Sequence, residues 1–311
     1  MKTVLLGGNG FIGTHLAEAL IAAGHECIVC DERPPQRDLP DLRWVAEDVF
    51  HVEDNRLQAI LSGEPVVFHL AWRYLPVESN THMEAEAQEN VPGTLRLLRL
   101  CAEAGVRRIV FFSSGGSVYG PAQRLPIAET HPTEPLSAHA ISKLAVEKYL
   151  ALFWHRRGLD YVILRPGNPY GPYQDPTAGQ GVIAASMARA ATGQSLEVWG
   201  DGSAVRDYFY VGDLAHAALL AAITAHSRVV YNIGSGVGRS LNDVIAAVEA
   251  VSGRPLDVCY LSARPSDVPA NVLDAALARQ LLGWAPRVSF EEGLWLTWEW
   301  YSRRQTVGCE A

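Results

Sequence analysis

The sequence predicts an α/β fold: a doubly wound parallel sheet followed by a smaller C-terminal α+β part. Three observations carry this. Short apolar runs alternate with segments of helical periodicity through the first 170 residues, the pattern of a parallel sheet covered by helices on both faces. These runs are apolar throughout rather than alternating, as strands buried on both faces are. The first run breaks into a glycine loop that opens a helix.

The first run is Lys2-Thr3-Val4-Leu5-Leu6, a strand that stops at glycine. Gly7-Gly8-Asn9-Gly10-Phe11-Ile12-Gly13 follows, then a helix from Thr14 to Ala23 ended by Gly24, then a second strand from His25 to Cys30 closing on Asp31. In that order Gly7 can make a tight turn, Gly10 lets backbone approach a pyrophosphate, and Gly13 lets helix pack against strand. Phosphates would sit on the positive helix N-terminus. Asp31 comes 18 residues after Gly13, where it can accept hydrogen bonds from an adenosine ribose. The stretch predicts a dinucleotide site.

A third strand is expected over Leu42 to Ala46, ending near Asp48-Val49; Asp48 can meet an adenine amino group or cap the next helix. Pro65 to Ala71 is a fourth strand, in which His69 reads as a packed strand-end histidine. Met83 to Ala104 reads as a long helix that Pro92 should kink. Arg108 to Phe112 is a fifth strand opening into Ser113-Ser114-Gly115-Gly116-Ser117-Val118-Tyr119-Gly120, a polar segment where doubly wound sheets place their chemistry. Residues 137 to 157 form a helix capped by Ser137, with His139 and Lys143 four apart on one face. A sixth strand, Tyr161 to Leu164, runs into Arg165-Pro166-Gly167-Asn168.

Proline, glycine and glutamine dominate residues 172 to 181, as a crossing between domains would. The chain is expected to divide into 1–170, with 205–235 returning to it, and a substrate part of 171–204 and 236–311. In the latter part come a strand over Val229 to Ile233, a helix from Asn242, a strand near Leu256 to Tyr260, and a terminal helix from Phe290. Trp295, Trp298 and Tyr301 on that last helix read as packing residues.

The 311 residues are 48% hydrophobic and 19% charged, enough for a large core. A net charge of −8 without a basic cluster argues against nucleic acid as a partner. No apolar run has transmembrane length, and the first strand begins where a leader would lie, so a cytoplasmic protein is expected. Five cysteines suggest no disulfide framework. Cys27 and Cys30, three apart on a strand, should point to opposite faces and share no metal.

The motifs together resemble the extended short-chain dehydrogenase/reductases, specifically the nucleotide-sugar epimerases and dehydratases, over essentially the whole chain. The resemblance implies a Rossmann fold and NAD as cofactor. Gly7, Gly10, Phe11, Ile12 and Gly13 would form the family's glycine loop, Asp31 its ribose acid, and Asp48 and Val49 its adenine pair. His69-Leu70-Ala71 is similar to the family's H-L-A segment, so Leu70 and Ala71 would lie beside the cofactor. Asn90, in N-V-x-G-T, with Ser113 and Pro166, would complete that site. Asn168 resembles the asparagine of N-x-Y-G-P, Arg206 the arginine of G-D-G-x-x-x-R-D, and Arg264 the family's late arginine. These three would hold a substrate diphosphate, a task suited to arginine's planar heads.

Two departures fall at the centre. The family's Y-x-x-x-K pair reads His139-Ala140-Ile141-Ser142-Lys143 here, and its usual serine or threonine is Gly115, flanked by Ser114 and Ser117, either of which could substitute. Trp72 stands where a small residue is usual and would either narrow the pocket or turn outward. The resemblance implies a 4-epimerase of a nucleotide-linked sugar, acting through a transient 4-keto sugar, with His139 as acid/base and Lys143 anchoring the cofactor. A ketoreductase, a dehydratase or an NAD-binding sensor that has lost catalysis are the alternatives. The rate is expected to fall as pH drops through the imidazole pKa. The family pairs through the helices after the fourth and fifth strands, so a homodimer is expected.

Overall fold

The computed structural model describes residues 1–263 and 268–307. The chain opens β1 (Lys2–Leu6), α1 (Phe11–Ala22), β2 (Glu26–Cys30), β3 (Leu42–Val45), α2 (Asp54–Leu61) and β4 (Val66–His69). It continues α3 (Pro76–Ser79), α4 (Met83–Glu103), β5 (Arg108–Phe112), α5 (Ala138–Arg157), β6 (Tyr161–Pro166) and β7 (Asn168–Tyr170). Then follow α6 (Val182–Thr192), β8 (Leu196–Trp199), β9 (Val205–Tyr210), α7 (Val211–Ile223), β10 (Val230–Ile233) and β11 (Gly238–Ser240). The last elements are α8 (Leu241–Ser252), β12 (Val258–Leu261), β13 (Ala270–Asn271), α9 (Ala276–Leu282) and α10 (Phe290–Val307).

Seven parallel strands form the main sheet in the order β10-β6-β5-β4-β1-β2-β3. From β1 the chain winds first toward β3 and then back past β4, so the carboxyl ends of β1 and β4 flank the switch point where such sheets take ligands. Alternation along each strand splits the interior into two cores. Leu5, Val29 and Phe68 face α1 and α7, whereas Val4, Leu6 and Phe111 face α4 and α5. Cys27 lies in the first core and Cys30 in the second, as strand geometry requires, and burial pushes both thiols up to about 12.

Gly10 is the N-cap of α1, so the helix begins at Phe11, earlier than its apolar period suggests. α4 is a single helical element through Pro92, and a Cβ on the next residue, Gly93, would lie 2.5 Å from the Phe50 ring. The glycine thus admits close packing of α4 against the segment after β3. Ser137 caps α5 by accepting from the Ala140 N–H at 3.3 Å, and Gly158 closes it in the left-handed conformation.

A third core joins α6, α8 and α10 to a short sheet in which β9 pairs with β11, β13 and β7. Trp298 and Tyr301 pack there, while Trp295 is exposed. α7 packs against α1, and β10 pairs with β6 at the edge of the main sheet. α9, expected with the substrate part, instead packs against β10 in the first core together with Trp284, whose indole donates to Asp213 O at 2.9 Å. No helix among the described residues is long and apolar enough to cross a membrane.

Candidate active site

The glycine loop is built by close approach. A Cβ on Gly7 (φ +78°) would lie 2.5 Å from the Ala71 Cα, and one on Gly13 only 2.3 Å from Gly8 O. Leu70 and Ala71 both donate to Leu6 O, at 2.9 and 2.7 Å, which sets this segment against the loop. α1 has no side-chain cap, so its first-turn N–H groups face the loop unsatisfied, an arrangement suited to phosphate. A Cβ on Gly10 would meet only the Arg33 guanidinium, at 3.4 Å, so a cation stands at the mouth of the cradle.

Asp31 is buried at the end of β2. Its oxygens accept from the N–H groups of Asn9 and Arg33, each at 2.9 Å, which leaves lone pairs for ribose hydroxyls. Phe11 stacks edge-on with His15, and Ile12 and Val49 pack into opposite cores. Asp48 does not cap α2, which starts at Asp54 with Glu53 as N-cap. It binds the Phe50 N–H, His51 and the Arg73 guanidinium. Arg73 also reaches Glu32, and its backbone exchanges hydrogen bonds with the Asn90 amide. One arginine thus spans the ends of β2, β3 and β4, and no local pattern marks it in the sequence.

α5 carries His139 and Lys143 to the end of β5. Lys143 Nζ donates to Phe112 O at 2.8 Å and lies 3.7 Å from the centre of the Trp72 ring. Trp72 therefore turns inward, and its ring also meets that of His139 at 5.8 Å, edge to face. His139 is buried and its Nδ1 has no hydrogen-bond partner. Burial pushes the imidazole down to about 3, and the Lys143 charge acts in the same direction. Burial likewise lowers Lys143 to about 7, with Glu86 and Glu147 opposing the shift. His69, bound to Thr94 Oγ1 at 3.0 Å and set between Phe50 and Phe111, is the packed strand-end histidine the sequence suggests.

In the serine loop, Ser113 Oγ donates to Glu147 Oε1 at 2.5 Å, so its hydroxyl turns toward α5. Ser117 Oγ donates to Ser114 Oγ at 2.8 Å, joining the two candidate serines into one unit. Gly115 is locked between them: its N–H donates to Pro166 O at 2.8 Å, and a Cβ there would lie 2.7 Å from Arg165 O. A side chain at this position would have to displace the loop from β6 or the Leu273 side chain. Gly116 faces Asn168, whose Oδ1 is buried without a partner. Arg206 lines a cavity of about 890 Å³ together with Tyr208, Arg189 and Trp199, and its strand neighbour Asn271 donates to Gly115 O at 3.1 Å. Arg264 lies outside the described residues.

Glu86 and Glu147, both buried, escape a reading of the sequence because acidic residues on helices usually face water. A signal exists for each: Glu147 continues the His139–Lys143 ladder by one more turn, and Glu86 stands four residues before Asn90.

A family model described as the NAD dependent epimerase/dehydratase family matches residues 3–234. The chain belongs to that family. It is accordingly an NAD-dependent enzyme of the extended short-chain dehydrogenase/reductase type, and its uncapped helix and glycine cradle fit the cofactor. Among relatives of this epimerase/dehydratase, a UDP-glucose 4-epimerase of Mycolicibacterium smegmatis is 34% identical, over 98% of this chain and 99% of that protein. A solved UDP-glucose 4-epimerase of Thermotoga maritima with UDP-glucose superposes with a TM-score of 0.92 at 35% identity, covering 99% and 100% of the two chains. That of Thermus thermophilus, in complex with NAD, gives 0.90 at 34% identity, covering 97% and 99%.

Proposed function

We propose that this epimerase/dehydratase is a UDP-sugar 4-epimerase in which His139 does the work of the family's tyrosine. The observation that carries the reading is the placement of His139 and Lys143 together at the carboxyl end of β5, buried and joined by Trp72. Relatives bearing the UDP-glucose 4-epimerase name, similar over nearly their whole length, support the substrate class.

The chemistry that NAD supplies when bound is reversible hydride transfer with the sugar. The chain's residues supply the rest. His139, neutral at physiological pH, takes the proton of the sugar 4-hydroxyl and later returns it, although the burial that keeps it neutral also makes it a weak base. A transient 4-keto sugar lies between the two transfers. The linked Ser114–Ser117 hydroxyls orient that oxygen. Asn168 and Arg206, with Arg264, hold the diphosphate. NAD is preferred over NADP because Asp31 repels a 2′-phosphate, although Arg33 stands beside it.

A dehydratase needs proton-exchanging groups just before Val118, and Gly116 and Ser117 are not such groups at neutral pH. Pairing of two copies through α4 and α5 belongs to the same proposal. Leu97, Leu98, Val146 and Leu150 are spent in the protomer's own core, which leaves Leu95, Leu152 and Phe153 lining a groove between the helices.

The test is purified protein with UDP-glucose and NAD, followed by chromatography of the nucleotide sugars. UDP-galactose should accumulate to equilibrium. A 4-keto-6-deoxy product, or no epimer from any UDP-hexose, overturns the reading. Light scattering should give a dimer mass at micromolar concentration.

A further inference from the structure

Trp72 follows the segment that ends β4, and its ring is fixed from below. The indole N–H donates to Glu86 Oε1 at 3.1 Å. Glu86, with no exposed surface, also accepts from Ser142 Oγ at 2.6 Å and from Asn90 Nδ2 at 3.1 Å. The anchored ring offers its face to Lys143 Nζ at 3.7 Å, and Phe111 offers a second face at 4.9 Å. The same ring meets His139 edge to face. One indole therefore touches both members of the pair that departs from the family motif.

We infer that Trp72 is a positioning residue: its indole, anchored by Glu86, seats the Lys143 ammonium beside His139 and keeps it charged. An ammonium has three donors, and the backbone accepts one of these through Phe112 O. The groups around Lys143 are His69 from β4, Glu86 from α4, His139 and Glu147 from its own helix, and Arg165 from β6, which is paired to Glu147. The two carboxylates act on the ammonium through space, and Glu147 is largely neutralised by Arg165. Beyond the Phe112 carbonyl, the negative face of the indole is then the closest group that favours the cation, and such a contact is strongest where water is excluded. Lys143 is nine-tenths buried or more, and burial alone drives it toward the neutral amine. A partner that favours the cation by even tenfold decides its charge near neutral pH.

The kinetic half of the test rests on the proposed epimerase function; the titration does not. The chain has three lysines, Lys2, Lys143 and Lys148, so 13Cε-lysine NMR of the NAD-bound protein reads Lys143 directly, with Lys143→Arg to assign it. Trp72→Leu, which keeps an apolar plug and removes the π face, should lower the Lys143 midpoint by about one pH unit, tenfold in the protonation equilibrium. Trp72→Phe should restore most of it. Fluorinated tryptophan in the unchanged sequence weakens the ring's negative face without altering the fold, and should lower the midpoint as well. In Trp72→Leu, kcat on UDP-glucose at pH 7.5 should fall about tenfold with KM within about threefold, and the alkaline limb should move with the NMR midpoint. A midpoint unchanged or raised in Trp72→Leu, or unchanged under fluorination, overturns the seat. Should the wild type prove inactive on UDP-glucose, the function proposal fails and the lysine titration still decides this one.

Discussion

Glu147 and Arg165 form a two-point ion pair beneath the serine loop, with Arg165 Nε 2.9 Å from Oε1 and Nη2 2.5 Å from Oε2. Burial opposes the guanidinium's charge, but the Glu147 contact outweighs it and raises the Arg165 pKa above its ordinary value. The pair extends at both ends. Ser113 Oγ donates to Glu147, while Arg165 donates to Tyr119 Oη at 2.9 Å, which in turn donates to Asn232 Oδ1 at 2.6 Å. One polar chain thus ties α5, β6, β10 and the loop of Ser114 and Ser117.

Removing one partner of a buried pair strands the other charge. Glu147→Ala should therefore cost about 3–5 kcal/mol, which lowers the melting temperature by on the order of 10 °C. The double variant Glu147→Met/Arg165→Met should be less damaging than Glu147→Ala. Calorimetry of the two decides; equal losses would show that the stranded charge is not the cause.

Restoring the family's hydroxyl at the serine loop should fail. Gly115→Ser puts a Cβ against Arg165 O and the Leu273 side chain, an overpacking that costs about 1–3 kcal/mol. Both the melting temperature and the turnover should fall, whereas Ser114→Ala and Ser117→Ala should leave stability nearly unchanged and slow turnover. A Gly115→Ser variant faster than wild type would refute this account of the loop.

His139→Ala should reduce epimerisation by about 10²–10⁴-fold, the usual worth of a positioned acid/base, with NAD affinity retained. His139→Tyr restores the family's pair beside Trp72 and should recover part of the rate. Full activity in His139→Ala, measured by the UDP-galactose formed, would mean the proton travels another way.

The pH dependence expected from the bare sequence is corrected by burial. Burial holds folded His139 down to about 3 rather than 6.5, so its protonation should cause no loss of turnover as pH falls through 6.5. Stability should not. His69 and His139 both sit near 3 when folded and near about 6.5 when unfolded. Below pH 6.5 the unfolded chain binds protons that the native chain refuses, so stability falls as pH drops from about 6.5 toward about 3. Each histidine contributes a slope of about 1.4 kcal/mol per pH unit well inside that window. Urea unfolding at pH 7, 6 and 5 checks this, and His139→Tyr should remove the one share of the slope that His139 contributes, about 1.4 kcal/mol per pH unit.

The strands and helices that carry the cofactor were legible because their cues are local: an apolar run, a glycine, a 3.6-residue period, an acid at the right distance. Glu86 was not, because Glu84, Glu86 and Glu89 follow one another on one helix, and only packing against Trp72 and Ser142 distinguishes the buried one. Gly115 read as a lost catalytic hydroxyl; the close approach of β6 that a side chain there would meet is a contact between segments 50 residues apart. Asp48 stayed ambiguous until the start of α2 at Asp54 removed the helix-cap reading. Strands of two to four residues, such as β13 and β8, are too short to show any period.

Trp284 sits under the main sheet, held by Asp213 O, while Asp213's carboxylate also accepts from the N–H groups of Arg287 and Val288. The late chain therefore serves as a seam, sewn back into the half that came first. A fragment cut after residue 235 would carry every motif of the cofactor site and still lack Ala275, Ala278, Leu282 and Trp284 from its interior. Such a piece would open an apolar flank along β10 and α7. The boundary of recognisable sequence and the boundary of what can stand alone fall at different places, and a protein cut at the first should precipitate rather than bind nucleotide.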